Sequence, residues 1–386
     1  ASGGTFQSTD FAVPMGLTSI TINGNDGGDT INVDAITSTE LPSLTIDGQG
    51  GNDIVNFVGD VTFSANSNLT VTDTRQINVD ATLTLSGTGA VSLTADRLIE
   101  FEADVSGSSG ITTENGNISL TATGTGGGNG NGIEFQDGTV TIQATGTGDI
   151  TMDGTARGTG SNRYGIRFDA GGGASANNTT ISTVSGDLTL RGTGAGNDNN
   201  NRGVFIETGG IVTTQTGAIL IEGDGGNLTA GGDNNQGVLI AGGTVSATAS
   251  GGTVTLTGNG GGSGAADTAA GNDNNTGVQI SGATANVTTV DGAINVTGTG
   301  GGFVADGSGT NNGVYLNTAG ANLSSTSGAI TINGTAGNGE DSNVGVNFNT
   351  GTPVSSAGLI DITGAGGGGF DDSDNNHGVL VTGTVT

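Results

Sequence analysis

A glycine followed by Ile or Val, then any residue, then an apolar one, recurs eight times in this chain. The copies begin Gly132-Ile133, Gly165-Ile166, Gly203-Val204, Gly237-Val238, Gly277-Val278, Gly313-Val314, Gly345-Val346 and Gly378-Val379. Successive copies stand 33, 38, 34, 40, 36, 32 and 33 residues apart. A unit of this size cannot bury an apolar face alone and must stack on its neighbours. The cadence therefore predicts a solenoid, in place of the two or three globular domains that 386 residues would otherwise suggest.

Three short alternating stretches recur within each unit. After Gly132 they are Gly132-Ile133-Glu134-Phe135, Thr139-Val140-Thr141-Ile142 and Asp149-Ile150-Thr151-Met152. The last stretch returns as Leu188-Thr189-Leu190, Ile219-Leu220-Ile221, Val254-Thr255-Leu256, Ile294-Asn295-Val296, Ile330-Thr331-Ile332 and Ile360-Asp361-Ile362. Alternation at period two marks strands with one buried face. Gly, Asn and Asp fill the corners, where positive φ is often needed. The expected fold is all-β: a parallel, right-handed β-helix with three short strands per coil. Roughly twelve coils at a 4.8 Å rise give a rod about 55–60 Å long. Ile133, Ile166, Val204, Val238, Val278, Val314, Val346 and Val379 should form one internal column. The 80 glycines do not indicate collagen, because they are not placed at every third position and there are only 3 prolines.

Residues 1–17, with Phe6, Phe11, Val13 and Pro14, lie outside the rhythm and are expected to cap the first coil or pair with a neighbouring subunit. Residues 18–124 have short coils, and residues 125–386 have long ones with Asn/Asp/Gly-rich corners. The Asn two places before the signature Gly recurs as Asn201, Asn235, Asn275, Asn311, Asn343 and Asn376. Stacking would turn these into an amide ladder. An acidic column four places before the Gly comprises Asp233, Asp273, Asp341 and Asp374.

The formal net charge is −29, and all seven basic residues are Arg. Nucleic acid is a poor partner for such a surface, as is an anionic membrane. Divalent cations suit it better. No apolar run is long enough to insert into a membrane. With no Cys there is neither a disulfide nor a thiolate metal site. No initiator Met or leader is visible, so the chain reads as a processed product or a segment of something longer.

The Gly-Ala-Ile-Thr-Ile-Asn-Gly run at residues 328–334, and others of its kind across residues 83–386, resemble bacterial surface β-helix proteins. The resemblance is to filamentous-haemagglutinin-type exoproteins and autotransporter passengers. It implies a secreted, cell-surface, mostly adhesive or structural role. Gly24-Asn25-Asp26-Gly27-Gly28-Asp29-Thr30-Ile31-Asn32 resembles the calcium-binding nonapeptide of RTX proteins, and Gly48-Gln49-Gly50-Gly51-Asn52-Asp53 matches it more loosely. That resemblance implies calcium at Asp26, Asp29 and Asp53. The other reading of these turns is Asp bonding to local backbone.

Other charged positions read as structural. Asp153, Arg191 and Glu222 should stack as acid, base, acid, and Glu134 should meet Arg167. The single His377, beside Asp371, Asp372 and Asp374, reads as a solvated loop residue. Phe205, Leu239, Tyr315 and Leu380 form an outward stripe, open for a lateral contact or covered by a loop. The expected function is a non-enzymatic extracellular building block that self-associates head to tail or forms part of a long surface fibre. A second reading is an adhesin binding cell-surface glycans or other surface proteins. A third is a carbohydrate-active enzyme built around Arg191.

Overall fold

A computed structural model of the chain describes residues 16–103, 107–169, 178–226, 232–262, 274–302, 309–317, 320–339, 342–349, 351, 353–368 and 375–386. Phe6, Phe11, Val13, Pro14, Asp273, Asp341, Asp371, Asp372 and Asp374 lie outside the described residues. Among the described residues there is no helix. The strands pair in parallel, in two sheets of 22 and 12 strands.

The pairing follows the repeat. Ile133–Phe135 pairs with Ile166–Phe168, Thr139–Ala144 with Asn178–Thr183, and Ile150–Thr155 with Leu188–Thr193. Each strand thus meets the strand three places later in the chain, which is the connectivity of a solenoid. One face carries the Ile-Thr-Ile strands from Ser19–Asn23 to Ile360–Ala365. A second carries Thr30–Val33 and then the glycine-signature strands down to Val379–Val381. The 12-stranded sheet is the third face. β-Branched Ile, Val and Thr dominate because a pleated, half-buried surface suits them.

The first two faces join into one sheet through two 11-residue strands, Leu69–Val79 and Val91–Phe101. These are longer than the short strands expected from the sequence. They turn the corner without a loop: their mutual register shifts around Thr74, and Asp73 adopts a φ of 50°. A bulge of this kind bends a strand without ending it.

The anticipated inner column is present: Ile133, Ile166, Val204, Val238, Val278, Val314, Val346 and Val379 are partners in register. It extends upward through Ile99, Ile77 and Val55 to Ile31. A single hydrophobic cluster runs from Val33 to Val354, through both the short-coil and long-coil parts. Within it Phe135 stacks on Phe101 and packs at a tilt against Phe168, with ring centroids 5.2 and 5.0 Å away.

The signature glycine is required by sterics: a Cβ on Gly203, Gly237, Gly277 or Gly313 would lie 2.4 Å from the backbone nitrogen of Asp224, Asn259, Thr299 or Thr335. It is absent from the residues with positive φ. Its carbonyl faces a second glycine column that ends the first face on the inward side. A Cβ on Gly192, Gly223, Gly258 or Gly298 would lie 2.0–2.1 Å from the carbonyl oxygen of Gly203, Gly237, Gly277 or Gly313. Two backbones cross at this corner with no space between them for a side chain.

Positive φ falls instead on the residue three places before the signature. Asn200, Asn234, Asn274, Thr310, Ser342 and Asn375 all have φ between 59° and 63°. The next Asn forms the ladder, but not as expected. Its side-chain oxygen accepts a backbone N–H from the neighbouring rung instead of bonding to another amide side chain. Asn201 N–H donates to Asn235 Oδ1 at 2.7 Å, Asn235 to Asn275 at 2.8 Å, Asn275 to Asn311 at 3.0 Å, and Asn311 to Asn343 at 3.0 Å. The Asn runs therefore combine two needs, a left-handed residue and a buried acceptor for an otherwise orphaned N–H.

Candidate functional site

The two N-terminal glycine turns stack on each other. Residues on their flanking strands pair 24 positions apart, as Thr30 with Ile54 and Ser19 with Ser43. Asn25 and Gln49 both adopt left-handed φ, 68° and 65°, and Gly27 N–H donates to the Gly50 carbonyl at 2.7 Å. Asp29 N–H donates to Asp53 Oδ1 at 2.7 Å. Asp53 is 0% exposed, and the Oδ2 atoms of both Asp29 and Asp53 are buried without a hydrogen-bond partner. Burial pushes the Asp53 carboxyl above its ordinary value; the Asp29 N–H opposes the shift and the Asp29 charge adds to it.

Asp29 and Asp53 therefore come together as the motif implies, while Asp26 stays exposed at the rim. Two stacked carboxylates with orphaned buried oxygens fit a hard divalent cation, which prefers oxygen donors. No group of three or more His, Cys, Asp or Glu side chains is arranged for a metal among the described residues, so main-chain carbonyls would have to complete the coordination.

The outer column of the second face begins with Asn32, Asn56 and Asn78, continues through Glu100, Glu134 and Arg167, and reaches Phe205 and Leu239. The amide–amide ladder is found here. Asn78 donates to Asn56 and Asn56 to Asn32, each at 2.7 Å. Burial raises the Glu100 carboxyl to about 7, with help from the charges of Glu134, Glu102 and Asp80 and against a hydrogen bond from Gln136.

Arg167 is saturated by the chain's own acids: Nη1 meets Glu134 at 3.2 Å, Nη2 meets Asp169 at 3.1 Å, and Nε meets Glu207 at 3.2 Å. Burial works against the Arg167 charge, but Asp169, Glu207 and Glu134 together outweigh it and raise its pKa. The guanidinium also lies 5.0 Å from the Tyr164 ring centre, and Arg202 sits 4.4 Å from that of Phe205. Phe205 and Leu239 are buried in a small separate cluster with Tyr164, so this part of the stripe is covered.

On the first face Arg191 stacks between Asp153 and Glu222, at 3.8 and 2.6 Å, in a half-exposed strip. Both charged strips bridge successive rungs of the solenoid. A groove of about 690 Å³ lies where the first face turns toward the second. Among the described residues its wall is glycine, alanine and small polar side chains, with Asp224 as the one titratable residue. His377 is exposed.

Glu100 is the feature that sequence reasoning missed. Its signal was the 34-residue offset to Glu134, which places two carboxylates side by side once the coils are aligned. No family model, curated protein or solved structure matches the chain.

Proposed function

We propose that the chain is a non-enzymatic structural rod of the bacterial cell surface, a right-handed β-helix of roughly twelve three-strand coils, which stacks head to tail on a second copy of itself. The in-register parallel pairing from rung to rung supports this reading, because every rung, that of Val379, Val381 and Val385 included, presents the same apolar columns to whatever coil comes next, in a second copy or in a longer fibre. Val379, Val381 and Val385 are 41%, 43% and 38% exposed, whereas Val346, Phe348 and Val354 one rung earlier are at 0%. An open parallel rung also offers unpaired N–H and C=O groups to another strand.

The first rung has matching chemistry, since Ile20, Ile22 and Ile31 are only partly buried. Continuing the register by one step sets Ile360 and Ile362 over Ile20 and Ile22, and Val379 and Val381 over Ile31 and Val33. Identical units joined this way form an open filament instead of a closed ring. In a longer fibre the following coils would cover the same rung. The extracellular, surface-protein reading rests on the resemblance of the 328–334 type of run.

Sedimentation and electron microscopy across a concentration series test the stacking. Rods should lengthen with concentration in steps of about 55–60 Å, and the double variant Val379→Lys, Val381→Lys should stay at one step. A wild-type rod of constant length at every concentration would sink the proposal.

A second reading concerns the N-terminal turns. The orphaned oxygens of Asp29 and Asp53 favour calcium at this end of the rod. Calorimetric titration should register calcium binding in the wild type and none in Asp53→Asn, with a calcium-dependent rise in melting temperature lost in the same variant. Equal melting curves in calcium and in chelator would refute it.

A further inference from the structure

Four of the seven arginines, Arg75, Arg97, Arg157 and Arg163, gather at the corner between the first and second faces. Among the described residues none of the four forms an ion pair, although the chain carries a net charge of −29. Arg157 is only 6% exposed. Its Nη1 donates to the carbonyl oxygens of Arg97 and Asn131, and its Nε has no acceptor. The Nε atoms of Arg97 and Arg163 are likewise buried without partners. Burial lowers the Arg157 pKa, and the charges of Arg75 and Arg163 lower it further. The nearby carboxylate, Asp96, accepts a hydrogen bond from Thr125 at 3.3 Å and pairs with none of the four.

A glycine-rich loop, residues 126–130, lies over two of these guanidiniums. A Cβ on Gly128 would stand 3.0 Å from Arg97 Nη2, and one on Gly130 would stand 2.7 Å from Arg157 Nη2. Gly126 and Gly130 donate their N–H groups to the carbonyls of Asp96 and Arg157. The N–H groups of Gly127, Gly128 and Asn129 between them have no acceptor among the described residues. The space beside Gly127 is open for 4 Å around. Consecutive free N–H groups next to guanidiniums without an ion pair make a positively charged cluster of donors, and a tetrahedral oxyanion supplies the acceptors that both lack.

We propose that this corner binds a sulfate or phosphate group, held by Arg97, Arg157 and the backbone of residues 126–130, with Arg75 and Arg163 adding charge. The site is local and compact, so it operates on an otherwise acidic surface. It is also independent of stacking at the rod ends.

The test is calorimetric titration of the full chain with sodium sulfate and sodium phosphate, against sodium chloride at matched ionic strength. Sulfate or phosphate should bind saturably where chloride does not. Arg97→Gln and Arg163→Gln, both at half-buried positions, should each weaken that binding at least tenfold, while Arg191→Gln on the first face leaves it unchanged. Arg157→Gln should abolish it if the variant folds, and the other two variants decide the matter if it does not. A dextran sulfate arm distinguishes a sulfate ester on a polysaccharide from the free ion. Sulfate and phosphate heats no larger than those of chloride would overturn the proposal, as would binding that survives in both Arg97→Gln and Arg163→Gln.

Discussion

Glu100 shows how stacking changes the chemistry of a single side chain. In an extended peptide it would titrate near 4.5; in the rod, burial and the acid one rung below hold its proton up to about 7. The folded chain binds this proton more tightly than the unfolded chain, so the associated stability is complete below 4.5 and is lost as pH rises through about 7. The effect is about 2 kcal/mol after allowance for solvent screening. Glu100→Gln should match the wild type at pH 4.5 and exceed it by about 1–2 kcal/mol at pH 8, as read from denaturant unfolding at the two pH values. An unchanged difference between pH 4.5 and 8 would mean that Glu100 is ordinary. Both Glu100 and Glu134 were visible in the sequence, but their adjacency was not. It depends on the register between Val91–Phe101 and Ile133–Phe135, which belong to coils of different length.

At the scale of the element, the corner glycines matter more than the strands they separate. Many strand positions tolerate exchange among β-branched residues, because the column needs only shape and apolarity. The paired glycine columns have no such latitude. At Gly258 a Cβ would come within 2.1 Å of the Gly277 carbonyl oxygen and 2.9 Å of the buried Val278 Cγ2. Gly258→Ala should therefore destabilise by about 3 kcal/mol or more, through displacement of the corner. Thermal unfolding measures this, with Gly127→Ala as the control, because a Cβ there meets nothing within 4 Å. The repeat of Gly132 and its copies was legible as a period. Its physical cause was not, since the opposing glycine ends the strand before the corner and only the folded corner brings the two columns face to face. The Asn runs were legible in the same partial way. Their stacking followed from spacing, but the bonding partner, a backbone N–H, depended on how the left-handed residue before each Asn turns the chain.

For the whole molecule, a rod whose coils touch only their neighbours should unfold from its ends. Among the described residues Ile360–Ala365 and Val379–Val381 have a paired neighbour on one side only. Hydrogen exchange should be fastest there and slowest in central strands such as Leu188–Thr193 and Ala218–Asp224, which are paired on both sides. Exchange in the last rung should slow as concentration rises if copies stack head to tail. Concentration-independent exchange at that rung would argue against the filament. The charge balance points the same way. A chain of net charge −29 repels its copies laterally, whereas the stacked ends are apolar and place Asp361 beside Thr21 in the continued register.

The amino-acid sequence by itself determined the solenoid, the inward columns and the alternation of buried and open positions. Each is a local rule repeated at a fixed period, and repetition converts local rules into long-range register. Only the tertiary structure decided which outward side chains meet: the Glu100–Glu134 pair, the saturated Arg167, the covered Phe205 and Leu239, and the unpaired arginines under the 126–130 loop. Those neighbours lie a full coil apart in the chain, and their coils differ in length. Their contacts are fixed by how each corner spends its extra residues, which periodicity does not encode.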